Sequence, residues 1–201
     1  MAETINTRGI VLYYRPWREY DRTYVIYTEA CGKLICKAIG VRKPRAKLAG
    51  VLEPFAEIDV SLIMGKRYTV SGAVVSQRFA QMKQAKDRST AAVYCAEVLD
   101  ELVKDNVADP AVYQLLFSTF TWLDHAPYTK LIPISFVVKL IQLLGYQLPE
   151  TKLIRWLYTA PFADIQKLRV QQADWQQLYQ AVHLWLYEYC GDHVQSEQFL
   201  V

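Results

Sequence analysis

The chain changes its hydrophobic period once. Up to about residue 78 the apolar positions come in short runs with a period near two; beyond that they recur at steps of three and four. Residues Ile5 to Tyr14 are rich in β-branched and aromatic side chains and end at Arg15-Pro16, which predicts a first strand. Thr23 to Thr28 predicts a second. Cys31-Gly32-Lys33 then turns the chain, and Leu34 to Ile39 predicts a third, paired antiparallel to the second because the connection is short. In Ala56 to Met64, Ile58, Val60 and Leu62 alternate with Glu57, Asp59 and Ser61, the pattern of a half-buried strand. Gly65-Lys66 forms a tight turn, and Tyr68 to Ser76 is the fifth strand. Five short strands with no room for crossover helices predict a small closed barrel. An OB-fold is the leading reading and an SH3-like barrel the competing one.

From about Phe79 the pattern is helical. Ala92, Cys95, Ala96, Leu99, Leu102 and Val103 share one face. Pro110 opens a second helix, where its missing N–H costs nothing, with Val112, Leu115, Leu116, Thr119, Phe120 and Leu123 as its buried stripe. A third runs from Pro133 to Leu144 and stops at Gly145. Residues 146–172 are less regular. Asp174 is then expected to cap a long last helix whose stripe is Trp175, Leu178, Tyr179, Val182, Trp185, Leu186 and Tyr189. The stripe reads as core, with a partner groove as the alternative. The fold class is therefore α+β, all-β then all-α: an N-terminal five-stranded OB-fold barrel over residues 1–80 and a C-terminal α-helical domain over residues 81–201.

Charge sharpens this division. Residues 1–85 hold 14 Lys/Arg against 7 Asp/Glu, and residues 86–201 hold 9 against 13, so the two parts carry +7 and −4. Two surfaces with different partners follow. The start, Met1-Ala2-Glu3-Thr4, has no apolar signal region, and no apolar run approaches a membrane span. Four cysteines without a paired framework fit a cytoplasmic protein with reduced thiols.

The most one-sided stretch is Gly40-Val41-Arg42-Lys43-Pro44-Arg45-Ala46-Lys47-Leu48, with four cations in six residues. A solvated turn is the plain reading. Binding is favoured by its setting: Arg8, Arg15, Arg18, Arg22, Lys33 and Lys37 share the barrel, interleaved with Tyr13, Tyr14, Trp17, Tyr20, Tyr24 and Tyr27. Single strands are held by cations that follow phosphates and by rings on which bases stack. The candidate DNA-binding residues are Arg42, Lys43, Arg45 and Lys47, extended by Arg15, Arg18, Lys33 and Lys37, with Trp17 and Tyr20 as stacking residues. Some of the tyrosines must fill the core.

Metal and catalytic readings are weak. Cys31 and Cys36, and Cys190 with His193, are half-sites lacking the second pair that structural zinc needs. His125, His183 and His193 are isolated, and no nucleophile elbow, phosphate loop or metalloprotease motif occurs. Glu97, Asp100 and Glu101 read as a solvated helix face. No catalytic residue, metal site or cofactor is expected.

The chain resembles the RecO family of bacterial recombination and repair proteins. The resemblance rests on Gly9-Ile10-Val11-Leu12 followed by Arg15-Pro16-Trp17-Arg18-Glu19-Tyr20-Asp21-Arg22, on Tyr27 to Lys33, on Gly40-Val41-Arg42-Lys43, and on Leu48-Ala49-Gly50-Val51-Leu52-Glu53-Pro54-Phe55. Tyr94 to Asp100, Phe136 to Leu144 with Gly145-Tyr146, and the ending Ser196-Glu197-Gln198-Phe199-Leu200 continue it. The resemblance implies an OB-fold and a helical domain in a protein that is not an enzyme. It implies binding to single- and double-stranded DNA, annealing of complementary strands, and work with RecR. It also implies loading of RecA onto strands coated by single-strand-binding protein, whose acidic C-terminal tail is a further partner. Many members carry a four-cysteine zinc site before the last helix; residues 147–173 here contain no cysteine, so this is a form without it. Two rival readings are a protein-interaction scaffold whose basic barrel docks an acidic partner, and a nuclease with scattered carboxylate ligands.

Overall fold

In the computed structural model residues 3–199 are described. They form two compact units. One runs up to Phe79 and takes in Val103–Tyr113 from further along the chain; the other comprises Ala80–Leu102 and the residues from Gln114 onward.

The first unit holds strands β1 (Thr4–Pro16), β2 (Arg22–Thr28), β3 (Gly32–Ala38), β4 (Glu57–Ile63) and β5 (Tyr68–Gln77). They close in the order β1-β2-β3-β5-β4, with β4 returning to β1. Every pairing is antiparallel except β3 with β5, which is parallel through Cys36 opposite Tyr68 and Lys37 opposite Thr69. This is the OB-type barrel, and the SH3-like alternative falls away. β1 serves two neighbours: Thr4 to Ile10 pair with β4, and Gly9 to Pro16 with β2. A bulge between Val11 and Tyr13 gives β1 the bend this requires. Gly9 sits at the crossover, where a Cβ would stand 2.7 Å from Ile26 Cγ2.

The barrel interior is filled by alternate residues of each strand. Val11, Tyr24, Ile26, Leu34, Cys36, Ile58, Val60, Leu62 and Val70 belong to one buried cluster, joined by Val41 and Leu52 from the long β3–β4 connection. β2 departs from the expected alternation, since Tyr24 to Thr28 are all buried. Part of the reason is the segment Val103–Tyr113, which lies against this unit as a strap. Gly32 meets it most closely: a Cβ there would be 1.9 Å from the Val107 carbonyl oxygen, and φ is +69°. Asn106 donates its amide to the Lys33 carbonyl at 2.9 Å, and Tyr27 donates its hydroxyl to the Asp109 carbonyl at 3.5 Å. Tyr113 donates to Glu57 Oε1 at 2.8 Å, satisfying a carboxylate that β4 buries.

The second unit contains α1 (Ala80–Gln84), α2 (Lys86–Leu102), most of α3 (Pro110–His125), α4 (Leu131–Leu143), α5 (Lys152–Thr159), α6 (Phe162–Ile165) and α7 (Gln172–Cys190). Two 3₁₀ turns follow, Gly191–His193 and Gln195–Phe199. Pro110 opens α3, and Asp109 caps it by accepting from the amides of Ala111 and Val112. The expected stripe of α3 is buried throughout. α4 is buried almost all round from Leu131 to Ile141, as a central helix should be.

Four expectations are corrected. Asp174 does not cap α7: the helix begins two residues earlier, and no side chain bonds its first amides. α4 begins at Leu131, so Pro133 lies within its first turn. The irregular stretch contains α5 and α6; Thr151 caps α5, its hydroxyl accepting from the Ile154 amide. Glu97 and Glu101 are anchors for the chain end: Glu97 Oε2 accepts from the Ser196 amide at 2.9 Å, and Glu101 Oε2 lies 3.2 Å from His193 Nδ1. On α7, Leu178, Val182, Trp185 and Leu186 are core, whereas Tyr189 is 52% exposed. Met1, Ala2 and Leu200, quoted above for the chain start and the closing motif, lie outside the described residues.

Candidate nucleic-acid interface

The cations gather at one end of the barrel because the register puts them there. Pro16 is opposite Arg22, and Arg22 is opposite Ala38, so the β1–β2 turn and the end of β3 are side by side. The β3–β4 connection leaves from the same point. Its first residues are fixed by three contacts. The Gly40 amide donates to the buried carboxylate of Asp21 at 2.7 Å. The Arg42 amide donates to the Tyr20 carbonyl at 2.9 Å, and Val41 is sunk in the core at 1% exposure.

Beyond this anchor the loop runs through successive turns. Lys43 donates its amide to the Gly40 carbonyl, Ala46 to Lys43, and Ala49 to Ala46. In the turn Lys43-Pro44-Arg45-Ala46, Pro44 precedes a residue of positive φ, the order of a type II turn. The third position of such a turn suits glycine, yet here it is Arg45, at φ 67°. Arg42, Lys43, Arg45 and Lys47 are all exposed, held out by a loop whose backbone is pinned from beneath.

Eight cations of this unit fall into two groups. Arg8, Lys33 and Arg78 have carboxylates beside them: Asp59 at 3.8 Å, Asp105 at 3.2 Å and Glu53 at 3.2 Å. Five others stand over aromatic rings. Arg15 Cζ is 5.2 Å from the Tyr13 ring centroid, Arg22 Cζ 3.9 Å from Tyr14, and Lys43 Nζ 5.7 Å from Tyr20. Trp17 carries two, Arg18 Cζ at 4.4 Å and Lys37 Nζ at 3.9 Å. Among the described residues none of these five ring-held cations is paired with a carboxylate.

Of the residues singled out from the sequence, Arg15, Trp17, Arg18, Tyr20, Lys37, Arg42 and Lys43 thus come together, with Arg45 and Lys47 further along the same loop. Lys33 stands apart, four residues back along β3, its side chain 11% exposed and its ammonium against Asp105. Of the tyrosines, Tyr24 and Tyr27 are core, while Tyr13 and Tyr14 are half-buried and Tyr20 is 43% exposed. Burial pushes the phenol of Tyr24 up, and the Arg22 guanidinium pulls it part of the way back.

Sequence reasoning passed over Arg22 as a site residue; its contact with Tyr14 depends on the pairing of Tyr14 with Tyr24 across the hairpin. It also passed over Lys66 and Arg67. They are exposed in the β4–β5 turn, immediately before Tyr68, which pairs with Cys36. In OB barrels oligonucleotides lie across strands 2 and 3 and against the loops joining strands 1–2 and 4–5, so the signal was Lys66-Arg67 beside the Gly65 turn. Among the described residues no group of three or more His, Cys, Asp or Glu could hold a metal ion. None of the described helices is long and apolar enough to cross a membrane.

The β1-β2-β3-β5-β4 barrel, its basic end and the helical unit define a class: an OB-fold protein with an appended α-helical domain. Family models narrow it. One described as the N-terminal part of recombination protein O matches residues 1–77, and one described as its C-terminal part matches residues 84–152. The chain belongs to the RecO family. It is 33% identical over 147 residues to a DNA repair protein RecO of Dehalococcoides mccartyi, covering 73% of this chain and 58% of that one. To the RecO of Geobacter sulfurreducens it is 28% identical over 145 residues, covering 72% and 60%. To that of Syntrophomonas wolfei it is 27% identical over 143 residues, covering 71% and 57%. The matched part thus spans less than two thirds of the length of these relatives.

Proposed function

We propose that this chain is a DNA-binding mediator of recombination and repair, with the basic end of its barrel as the DNA contact. The observation that carries the reading is the set of cations at that end, held beside one another and without carboxylate partners. Arg42, Lys43, Arg45 and Lys47 contact phosphates, and Arg15, Arg18 and Lys37 continue the track onto the barrel. Neutralising phosphates on two strands lowers their repulsion, which is what annealing requires, and no covalent step is involved. With RecR the protein helps load RecA onto strands coated by single-strand-binding protein, and the acidic helical domain provides the protein contacts. The similarity to DNA repair proteins RecO of other organisms supports this role.

Affinity that rests on phosphates falls with salt, with a slope of about −0.7 per phosphate on single strands and about −0.9 on duplex. Seven contacting cations give a slope of roughly −5 on a single strand. Reversing Arg42, Lys43, Arg45 and Lys47 to Glu together should abolish measurable binding of a fluorescein-labelled 30-mer in anisotropy at low salt, whatever its sequence. Binding equal to wild type would place the DNA elsewhere. Failure of the unaltered protein to bind single strands or duplex at all would leave an acidic protein as the partner of the barrel.

A further inference from the structure

A ring and a carboxylate do different things to a cation. A carboxylate cancels its charge; an aromatic face holds it by the ring quadrupole and leaves the net charge intact. Arg8, Lys33 and Arg78 lie against carboxylates, and Arg15, Arg18, Arg22, Lys37 and Lys43 over rings. The ring-held group occupies the end of the barrel that carries the basic loop. Lysine and arginine are also the side chains with most rotamer freedom to lose on contact with a phosphate. A ring that already fixes them lowers that loss.

The same geometry bears on bases. A base stacks by lying flat on a ring. At Trp17 two cations are within 4.4 Å of the ring centroid, and the Tyr14 ring has a guanidinium at 3.9 Å. Those positions are filled by side chains of this chain.

Resting on the reading given under Proposed function, we infer that the aromatic residues of this barrel end hold cations and do not stack on bases, with Trp17 as the central positioning residue for Arg18 and Lys37. The site therefore takes a polyanionic backbone of regular phosphate spacing and is indifferent to the bases attached to it. Single strands, duplex and a strand stripped of its bases are one substrate class here.

The experiment compares oligo-dT with an abasic strand, each of 30 residues and labelled with fluorescein, in salt titrations followed by anisotropy. Wild type should bind the two within about two-fold. Trp17→Leu should weaken both equally, by roughly five- to ten-fold, the scale of two exposed cation–ring contacts. Its salt slope should be shallower, and Trp17→Phe should restore most of the loss. An abasic strand bound at least ten-fold more weakly than oligo-dT, with Trp17→Leu lowering only oligo-dT binding, would establish stacking and overturn the inference. If wild type binds neither strand, the DNA reading fails and this inference with it. A second measurement is independent of the variant's folding. With 5-fluorotryptophan in the unaltered sequence, the ¹⁹F resonance of Trp17, assigned by its absence in Trp17→Phe, should move alike with both strands. An upfield ring-current shift with oligo-dT alone would count against the inference.

Discussion

Arg45 is a residue at which the backbone and the charge of the loop can be tested together. A left-handed φ costs a non-glycine residue about 1 kcal/mol, and Arg45 adopts φ 67° where glycine would do so freely. Arg45→Gly should therefore raise stability by up to about 1 kcal/mol in urea unfolding while making the salt slope of single-strand binding shallower by about 0.7. A variant both less stable and equally tight would show that the residue serves the fold. A second prediction concerns Cys36. Burial, and next the neighbouring Cys31, push its thiol up to about 12, against about 8.5 in an unfolded chain. The raised value means that the folded state keeps a proton the unfolded state has lost. Stability is thus full below about pH 8.5 and is lost between there and about 12, by at most about 1.4 kcal/mol per pH unit from this site. Urea midpoints at pH 8, 9 and 10 should fall, and fall less steeply in Cys36→Ala. The cation cluster was legible in Arg42 to Lys47 because charge is visible residue by residue. That Trp17 carries Arg18 and Lys37 was not, since Lys37 lies on another strand.

At the scale of elements, the β3–β4 connection behaves as a shelf supported from the β1–β2 turn. Asp21→Ala tests this with opposite signs. Removing a carboxylate beside the cations raises the net charge by one and, by charge alone, tightens DNA binding. Losing the acceptor of the Gly40 amide frees the loop and leaves a part-buried donor unmet, at about 1–3 kcal/mol. The expected outcome is weaker binding in anisotropy together with a lower urea midpoint; tighter binding would show that the anchor is dispensable. The strands were legible from their alternation, and β4 is the clearest case: Ile58, Val60 and Leu62 point inward as expected. α5 and α6 were missed because each is short. α5 buries only Ile154 and Leu157, too few positions for a helical period to register between Pro149 and Pro161. The start of α7 was misplaced because an acidic residue suits the first turn by its interaction with the helix dipole as well as the cap, and Asp174 takes the former position.

At the scale of the molecule, the strap Val103–Tyr113 is the feature that sequence order conceals. Between Val103 and the start of α3 it has neither strand alternation nor helical period, and its partners lie about 50 to 80 residues upstream, as with Tyr113 and Glu57 or Asp109 and Tyr27. Gly32 is the point of closest approach. Gly32→Ala should be among the most damaging single changes in the barrel, since a Cβ at 1.9 Å from backbone and a positive φ both oppose it. A loss of roughly 3 kcal/mol or more is expected in thermal or urea unfolding; a loss below about 1 kcal/mol would mean that the strap yields easily.

Because the barrel is completed by residues encoded after α2, its gene segment is interrupted. A chimera that joins the first 80 residues of one homologue to the remainder of another would pair a barrel with a foreign strap, and the steric match at Gly32 and Val107 would have to survive the graft. Recombination between related genes should for that reason keep crossovers out of the interval between codons 32 and 113, so that the two stretches are inherited together.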